Sequence, residues 1–367
     1  MVHRYRRRAP GRRKRRVSIL ERYQRPIRVS LIAIVSIAVL STGFAVLLNS
    51  KFSNILQFST NDIKDRPDPD KGRALNVLVL GVDKGQTVSG STPGMRLSQA
   101  VRAATWPSGR YRSDTLMMVH IAANRKHVYL VSIPRDTYTT LYDNTGTPQN
   151  KSKINAAFAE WGPNGTIATV EHLTNVRMKH LALINFNGFK DITRAVGGVP
   201  VYIPTAFYDP SQKVQWDAGW QNLKGKRALQ YVRTRYGLPR SDFDRIARQQ
   251  NFMRALMKKL LSKGTTRNPL KLTRTLTALT ENVVVDQDWD PGDMRALALS
   301  LRNTGTKDVT FLTAPVSDTK SIDGVGSIVD LDLVKSKELF TAMSEDEMDD
   351  YADKYPDDVL KPAKEVN

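Results

Sequence analysis

The stretch Asn76-Val-Leu-Val-Leu-Gly-Val-Asp83 is an apolar run of strand length that ends in a carboxylate. Such a run, without polar residues alternating along it, is typical of a strand buried on both faces in the middle of a sheet. Asp83 follows the run directly, and the ends of central strands are where sheets commonly present ligand-binding groups. The stretch therefore predicts a central strand with a candidate ligand at its end.

Other apolar runs predict the neighbouring elements. Residues 115–121 and 127–133 are predicted strands joined by a hairpin, because Ala122-Ala-Asn-Arg-Lys126 between them is a turn signal. Residues 84–111 are rich in Gly, Ser and Thr, which predicts a long loop with a short helix at 97–104. Strands and helices interleave, so one domain of class α/β or α+β is predicted, with helices packed on a single sheet. Further strands are predicted at 181–186, 199–203 and 309–312, and helices at 153–161, 165–176, 188–196, 224–233, 243–261, 269–279, 291–301 and 330–343.

The amino-terminal segment has the composition of a membrane anchor. Residues 1–28 contain twelve Arg or Lys and one acidic residue, Glu21, whereas residues 29–48 contain no charge. Twenty helical residues span about 30 Å, the thickness of a bilayer core. The run is too long for a cleaved signal peptide and lacks a small-residue cleavage site. We therefore predict one uncleaved transmembrane signal anchor, and the positive-inside rule places residues 1–28 in the cytoplasm and the remaining domain outside the cell membrane.

Composition divides the rest of the chain into three segments. Residues 49–73 are polar and include two prolines, which predicts an extracytoplasmic stalk, and residues 74–343 form the predicted folded domain. Residues 344–367 contain nine Asp or Glu and few apolar residues, which predicts a disordered acidic tail. The formal net charge is +20, to which residues 1–28 contribute +11 and the acidic tail −6. The basic domain is expected to meet membrane lipids and anionic wall components, and no nucleic-acid partner is expected.

Arginines and aspartates recur in short motifs along the predicted domain. Several guanidinium groups brought together repel one another by about 4 kcal/mol per close pair, so their convergence requires a multivalent anion. Arginine suits phosphate oxygens because its planar fork donates two parallel hydrogen bonds. Aspartate supplies hard oxygen ligands of the kind that magnesium takes beside substrate phosphates. The motifs are Gly81-Val-Asp83, Arg112-Ser-Asp114-Thr115, Ile133-Pro-Arg135-Asp136, Arg233-Thr-Arg235 and Asp244-Arg245-Ile-Ala-Arg248-Gln249-Gln250.

Each motif taken alone has a simpler explanation. A single Asp most often caps a turn, and Arg112 with Asp114 is equally compatible with a surface ion pair. Arg245, Arg248 and Gln249 share one face of a predicted helix, and a solvated basic face is the usual explanation for that spacing. The occurrence of all the motifs in one domain nevertheless favours a magnesium–pyrophosphate site.

Other catalytic patterns are absent from the sequence. There is no G-x-S-x-G elbow, no H-E-x-x-H zinc motif and no P-loop. The chain has no cysteine, which excludes a disulfide framework, and its five histidines show no metal-ligand spacing. Because no nucleophile is apparent, direct phosphoryl transfer is favoured, a reaction in which positioning and charge neutralisation carry the catalysis.

The motifs and the runs around them resemble the LytR-CpsA-Psr family of cell-wall ligases, over residues 76–261 and more weakly to residue 343. Seven blocks in the family's order are far more specific than any one of them. The resemblance implies a single three-layer α/β domain, a central mixed sheet flanked by helices, after one transmembrane helix. It also implies an apolar tunnel for a polyprenyl tail. The blocks are NVLVLGVD, RSDTLMMVHI, VSIPRDTY, KINAAF, INFNGFKDITRAVGGVPVYIP, LKGKRALQYVRTR and DFDRIARQQNF.

By matching motif, the resemblance implies roles for individual residues. Asp83 and Asp114 would hold Mg²⁺, with Mn²⁺ as an alternative. Arg135 would lie closest to the transferred phosphorus, and Arg112 and Asp114 are the other implied catalytic residues. The implied pyrophosphate-binding residues are Arg135, Lys153, Arg233, Arg235, Arg245, Arg248 and Gln249.

The implied reaction transfers a glycan phosphate from a polyprenyl-pyrophosphate carrier to a hydroxyl of peptidoglycan or another wall polymer. The hydroxyl attacks the sugar-proximal phosphorus and polyprenyl phosphate leaves, with Asp114 or Asp136 as alternative acceptors of the proton. Three other functions stay open on sequence grounds. They are a polyprenyl-pyrophosphate hydrolase, a membrane-bound regulator or attenuator of wall genes, and a non-catalytic lipid-binding scaffold.

Overall fold

The structure is a computed structural model of the 367-residue chain. It describes residues 53, 55–60, 63–69, 72–84, 97–103, 105–234, 242–260, 262–266, 268–301 and 304–366. The predicted cytoplasmic tail and transmembrane anchor, residues 1–28 and 29–48, lie outside these ranges. Within the ranges, no helix has the length and apolarity needed to cross a bilayer.

Within the described residues, the strands form a seven-stranded mixed sheet and several two-stranded sheets. They are β1 (Leu56–Phe58), β2 (Leu75–Lys84), β3 (Tyr111–Ile121), β4 (Val128–Ile133), β5 (Tyr138–Tyr142), β6 (Pro148–Lys153), β7 (His180–Asn185), β8 (Val199–Ile203), β9 (Phe207–Asp209), β10 (Val214–Trp216), β11 (Gly219–Leu223), β12 (Val283–Asp286), β13 (Val309–Thr313), β14 (Val316–Ile322) and β15 (Gly326–Leu331). The large sheet has the order β1-β12-β7-β2-β3-β4-β13. The predicted central strand β2 is its middle strand, parallel to β7 and antiparallel to β3. A mixed α/β fold with a central mixed sheet is therefore confirmed.

Helices cover both faces of the large sheet, because the strands present apolar residues alternately to the two sides. The helices are α1 (Leu97–Ala100), α2 (Asn155–Thr174), α3 (Phe186–Ala195), α4 (Lys226–Arg233), α5 (Asp242–Leu260), α6 (Lys263–Thr266), α7 (Pro269–Asn282), α8 (Pro291–Ser300), α9 (Leu333–Glu345) and α10 (Met348–Lys354). On one face, Leu78 packs in a core with Phe158 of α2 and Phe340 of α9. On the other face, Val77 packs in a core with Met253 of α5. The sheet is thus the middle layer of three.

Long predicted elements agree with the structure, whereas short polar strands were invisible in the sequence. The predicted helices at 153–161 and 165–176 are the two halves of α2, which kinks where Gly162 takes a positive φ of 68° before Pro163. The predicted helix at 330–343 begins instead at Leu333, because the preceding residues form β15. Strands without a sequence prediction are β1, β5, β6, β9, β10, β11, β12, β14 and β15.

The structure differs from the predicted stalk at residues 49–73, because the described part of that segment packs on the domain. Strand β1 extends the large sheet by pairing parallel with β12. Arg66 makes a two-pronged ion pair with Glu171, with Nη2–Oε1 and Nε–Oε2 distances of 2.7 and 2.8 Å. The Glu171 side chain is only 1% exposed. The polar composition of the segment hid this contact, because the buried partner of Arg66 lies far away in sequence.

We expect Arg66→Ala to lower the free energy of unfolding by about 3–5 kcal/mol, because the change leaves the Glu171 carboxylate buried without its partner. Guanidinium chloride denaturation followed by tryptophan fluorescence measures the change. Arg194→Ala is the matched control, because the ion pair between Arg194 and Asp191 is about half exposed and contributes at most about 1 kcal/mol. Equal losses in the two variants would show that the Arg66 pair is worth no more than a surface contact.

The structure also differs from the predicted disordered tail at residues 344–367, which folds onto the sheet as far as residue 366. Met348 and Tyr351 are buried in the main core. Farther along, the backbone N–H of Leu360 donates to the Phe311 carbonyl of edge strand β13 at 2.8 Å. The apolar residues of the segment are spaced so that Met348, Tyr351 and Val366 are buried, while most of the acidic side chains are exposed. A composition average does not record that spacing.

Asp346 fastens this carboxyl-terminal segment to the central strands. Its carboxylate accepts a hydrogen bond from the Ala123 backbone N–H at 3.2 Å and lies 2.9 Å from Nε2 of His120. Nδ1 of His120 lies 2.7 Å from Oδ1 of Asn76 in β2. Burial lowers the pKa of His120, and the nearby Asp346 carboxylate opposes that shift. The imidazole is therefore a structural link between the segment and the sheet.

Candidate active site

A β-bulge near the end of β2 and the start of β3 changes the direction of the Asp114 side chain, one of the two predicted metal ligands. Strands β2 and β3 pair regularly as far as Gly81 opposite Thr115, and the register then shifts so that Val82 lies opposite Ser113. Asp114 is the extra residue at this shift. Because a bulge bends its strand and changes the direction of the inserted side chain, Asp114 departs from the regular alternation of β3 and lines the adjacent cavity.

The cavity has a volume of about 570 Å³ and lies between the sheet and helices α3, α4 and α5. Four predicted site residues line it, namely Asp114, Arg233, Arg245 and Gln249. The apolar residues that line it were not among the predicted site residues. Prominent among these are Met117, Ile184, Phe186, Phe189, Phe252 and Met253.

The residues of α5 that line the cavity change from polar to apolar along the helix. Along α5, Arg245 and Gln249 are followed by Phe252 and Met253, and the helix rises about 12 Å from the first to the last of them. Gln249 marks the polar end, because its Oε1 lies 3.4 Å from Oγ1 of Thr115 beside the bulge. The cavity therefore changes from cationic to apolar along the length of α5.

Arg135 follows β4 directly, and Pro134 fixes the point where the chain leaves the sheet. Nη1 of Arg135 donates to Oδ1 of Asp114 at 2.6 Å. Nε of Arg135 lies 3.5 Å from Oδ2 of Asp136, whose Oδ1 lies 3.7 Å from Nζ of Lys153. The four side chains form a row of alternating charges that reaches the cavity through Asp114. The structure thus brings together Asp114, Arg135 and Lys153, and Asp114 lines the cavity.

Arg233 is the last residue of α4, and its guanidinium makes a second ion pair at the cavity. Nη2 lies 3.4 Å from Oδ2 of Asp83, and Cζ lies 4.6 Å from the centre of the Phe186 ring. Arg112 is opposite Asp83 in the β2–β3 ladder, but its side chain is exposed and does not line the cavity. Arg235 lies outside the described residues.

Two residues of α5, Arg245 and Gln249, also line the polar end of the cavity. The Arg245 side chain is buried against the cavity, with only 4% of the residue exposed. Nε2 of Gln249 donates to the Val232 carbonyl at 3.1 Å, which fixes the amide against the end of α4. The helix that carries Arg233 and the helix that carries Arg245 are therefore held together at the site.

The structure places Arg248 away from the cavity, which differs from its predicted pyrophosphate contact. Its guanidinium lies between the rings of Phe207 and Tyr231, at 4.5 and 5.0 Å from their centres, and the residue is 1% exposed. Burial lowers the pKa of Arg248, while Tyr231, Asp244 and Asp209 favour its charged form. Arg248 instead braces α5 against α4, because Tyr231 belongs to α4.

The donor set at the site suits a magnesium ion that shares its ligands with phosphate. The described residues contain no group of three or more His, Cys, Asp or Glu side chains that could hold a metal ion alone. Asp83 and Asp114 lie on neighbouring strands, and each pairs with an arginine. Mg²⁺ is commonly bound by one or two carboxylates together with substrate phosphates. Two carboxylates beside a cationic cavity therefore fit that ion.

Sequence reasoning also missed polar residues around the cavity. Asn185 lines it and caps α3 by accepting a hydrogen bond from the Gly188 backbone N–H at 2.9 Å. A side chain at Gly188 would come within 2.7 Å of Asn282 in α7, so glycine allows α3 and α7 to approach closely. Asn185 and Gly188 both lie in the INFNGF block, where an Asn directly before the helix is a capping signal. The other polar lining residues without a predicted role are Thr115, Ser211 and Gln212.

Comparison with known proteins relates the chain to bacterial cell-wall proteins. A family model described as the LytR_cpsA_psr family matches residues 45–345. Cell wall biosynthesis protein LcpA of Corynebacterium glutamicum is 32% identical over 340 residues, which cover 84% of this chain and 64% of LcpA. The polyisoprenyl-teichoic acid–peptidoglycan teichoic acid transferase TagV of Bacillus subtilis is 35% identical over 178 residues, covering 47% of this chain and 44% of TagV.

The crystal structure of B. subtilis TagV has the same fold. It covers 76% of this chain and 98% of the TagV chain, with a TM-score of 0.59 and 25% sequence identity. The chain spans between 44% and 64% of the length of the curated relatives that it matches first.

Proposed function

Because the chain belongs to the LytR_cpsA_psr family, we propose that it is a membrane-anchored phosphotransferase of cell-wall assembly. It transfers a glycopolymer phosphate from a polyprenyl-pyrophosphate carrier to a peptidoglycan hydroxyl, and a phosphodiester is formed. The observation that carries the proposal is a single cavity with a cationic end at Arg233 and Arg245 and an apolar end at Phe252 and Met253. The names of LcpA and TagV support the same class of activity.

The two ends of the cavity match the two parts of a lipid pyrophosphate. The diphosphate needs cations that remain charged, and arginine guanidinium groups meet that need with directed hydrogen bonds. The prenyl chain needs a wall without hydrogen-bonding groups, which Phe189 and Phe252 provide. A nucleotide or a free sugar phosphate would leave the apolar end without a partner.

A change of partner at the two arginine–aspartate ion pairs prepares the site for the diphosphate. Arg135 and Arg233, which pair with Asp114 and Asp83, turn to phosphate oxygens when the carrier binds. Asp83 and Asp114 would then be available to hold Mg²⁺, which would supply charge neutralisation for the diphosphate. Arg245 holds the diphosphate from the α5 side. Arg135 stabilises the charge that develops on the transferred phosphoryl group.

The transfer itself requires a proton acceptor near Arg135. The oxygen of the wall hydroxyl forms a bond to the sugar-proximal phosphorus as the bond from that phosphorus to the polyprenyl phosphate oxygen breaks. Polyprenyl phosphate leaves, and the hydroxyl proton passes to a carboxylate. Asp114 and Asp136 both lie beside the Arg135 guanidinium and are the candidates for that step.

The proposed location follows from the substrates. A polyprenyl carrier lies in the cell membrane and its wall acceptor lies outside, so residues 29–48 act as a single-pass anchor. The amino-terminal residues 1–28 are cytoplasmic, and the folded domain is extracytoplasmic. The positive net charge of the chain favours contact with anionic lipids and polymers.

We expect the full-length protein to join a glycan from a polyprenyl-pyrophosphate carrier covalently to uncrosslinked peptidoglycan in the presence of Mg²⁺. Glycan attached to washed peptidoglycan, together with released polyprenyl phosphate, measures the transfer, and a chelator is the control. Release of polyprenyl phosphate without attachment would assign the protein as a hydrolase. Carrier binding without either product would assign a lipid-binding scaffold.

A further inference from the structure

An unusually basic turn follows the active-site helix. From Arg245 to Thr280 the sequence contains nine Lys or Arg and no Asp or Glu. Arg245 and Arg248 belong to the site and its packing, and the other seven continue beyond it. These seven are Arg254, Lys258, Lys259, Lys263, Arg267, Lys271 and Arg274.

Hydrogen bonds give the turn a defined shape where the structure describes it. The Lys259 carbonyl near the end of α5 accepts from Ser262 Oγ and from Thr265 Oγ1, both at 2.8 Å. Asn268 then caps α7 by accepting from the Lys271 backbone N–H at 3.0 Å. The end of α5, the short helix α6 and the start of α7 therefore form one surface feature, residues 258–260, 262–266 and 268–274, which we term the basic turn.

The basic turn exposes a leucine among cations. Leu270 is 71% exposed, and Lys258, Lys271 and Arg274 are also exposed. No carboxylate of the described residues lies within ion-pair distance of these three cations. The opposite side of α7 is packed, because Ala278 and Leu279 contact the core between α3 and α5. An apolar tip surrounded by Lys and Arg is the pattern of a surface that lies on an anionic bilayer.

The basic turn adjoins the apolar end of the cavity. Met253 lines that end, and Lys258 follows five residues later on the same helix, about 7.5 Å farther along its axis. Helix α7 also leads back to the amino-terminal side of the domain, because β12 follows it directly and pairs with β1. The basic turn therefore lies beyond the apolar end of the cavity along the axis of α5.

We propose that the basic turn docks on anionic lipid head groups, with Leu270 inserted at head-group level. The second part of the inference rests on the proposed function: docking places the apolar end of the cavity against the bilayer, so that the prenyl chain enters without crossing water. A soluble wall polyanion would also meet the cations, but it would leave Leu270 exposed. The exposed leucine therefore favours a membrane.

The absence of cysteine allows docking to be measured without reference to activity. The full-length variant Leu270→Cys, labelled with an environment-sensitive fluorophore, is reconstituted in phosphatidylcholine vesicles with or without phosphatidylglycerol. We expect a blue-shifted emission that lipid-borne quenchers reduce, only in the anionic vesicles. Leu299→Cys is the control, because Leu299 is 54% exposed on α8, and its label should remain in water.

Two outcomes of this measurement would overturn the inference. Equal quenching at positions 270 and 299 would show that the membrane anchor merely holds the domain near lipid. A change at position 270 caused by soluble polyphosphate in detergent, without any response to phosphatidylglycerol, would assign the surface to a polyanion.

A charge variant connects docking to turnover. Lys258→Gln, Lys271→Gln and Arg274→Gln combined should lower turnover of a long-chain carrier in anionic vesicles at least tenfold, because each cation near such a surface favours docking about fivefold. Turnover of a short-chain, water-soluble carrier should be unchanged. Lys126→Gln, Lys179→Gln and Lys307→Gln combined remove the same charge from other exposed positions and should change neither rate.

Failure of the docking proposal is distinguishable from failure of the proposed function. If the unmodified protein uses neither carrier, the proposed function fails, and the fluorescence result still decides whether the basic turn docks. If the charge variant loses both substrates equally, the turn acts on the site itself, and the docking inference is rejected.

Discussion

Arg135→Lys should lower kcat about 100-fold or more and leave KM for the lipid pyrophosphate nearly unchanged. The variant keeps the positive charge next to Asp114 but replaces the planar fork by a single ammonium group. If the guanidinium stabilises charge that develops on the transferred phosphoryl group, its loss resembles the removal of one preorganised oxyanion donor, which costs about 10²–10³ in kcat. Binding changes less, because Arg233 and Arg245 still line the cationic end. Steady-state kinetics in the presence of Mg²⁺ measures both constants.

Arg194→Lys is the matched control for this substitution, since Arg194 forms an exposed ion pair on α3 outside the cavity. It should leave kcat and KM unchanged. The alternative explanation of Arg135 is a structural ion-pair partner, held between Asp114 and Asp136. In that case Arg135→Lys would lower the melting temperature and retain wild-type kcat, and the catalytic role would have to be abandoned.

The central strands could be predicted because they consist of consecutive apolar residues. Strands β2, β3 and β4 are long apolar runs covered on both faces, so their sequence differs clearly from that of a loop. Strands β6 and β14 carry mostly exposed side chains. Nothing in their composition separates a polar strand from a polar turn, because their pairing partners, and not burial, hold them in place.

The two ends of the domain show a second limit of the sequence. The segments around Arg66 and Tyr351 look polar on average, and both pack on the domain through a few residues. A buried ion pair or a single aromatic anchor depends on where its partner lies in three dimensions. Neither contact can be inferred from local composition.

The convergence of the predicted site residues could be inferred from their motifs, whereas the direction of each side chain could not. Motifs at strand and helix ends correctly indicated that Asp114, Arg233, Arg245 and Gln249 would converge. Consecutive residues of a helix are about 100° apart around its axis. Arg248 and Gln249 therefore point in different directions, although both lie on the same side of α5. The packing of neighbouring helices decided that Gln249 faces the cavity while Arg248 is buried.

Asp114→Asn tests the metal site and should reduce Mg²⁺-dependent turnover by at least about 100-fold. Changing even an outer-shell partner of a metal ligand costs about 10–100-fold, and this substitution removes the negative charge of a proposed direct ligand. The fold should persist, because Asp114 is a partly exposed residue at a strand-end bulge, and the new amide oxygen can still accept the hydrogen bond from Arg135. Circular dichroism checks that point.

Binding of Mn²⁺ in the presence of a pyrophosphate analogue, followed by electron paramagnetic resonance, separates loss of the metal from loss of another function of Asp114. We expect Asp114→Asn to weaken Mn²⁺ binding, whereas Asp191→Asn, which removes the same charge from an exposed position, should not. Asp136→Asn gives a third comparison, since a proton acceptor that holds no metal would alter the pH profile and leave Mn²⁺ binding intact. Normal Mn²⁺ binding and normal turnover in Asp114→Asn would show that the Asp114 carboxylate is not a metal ligand. Its role would then be the ion pair with Arg135.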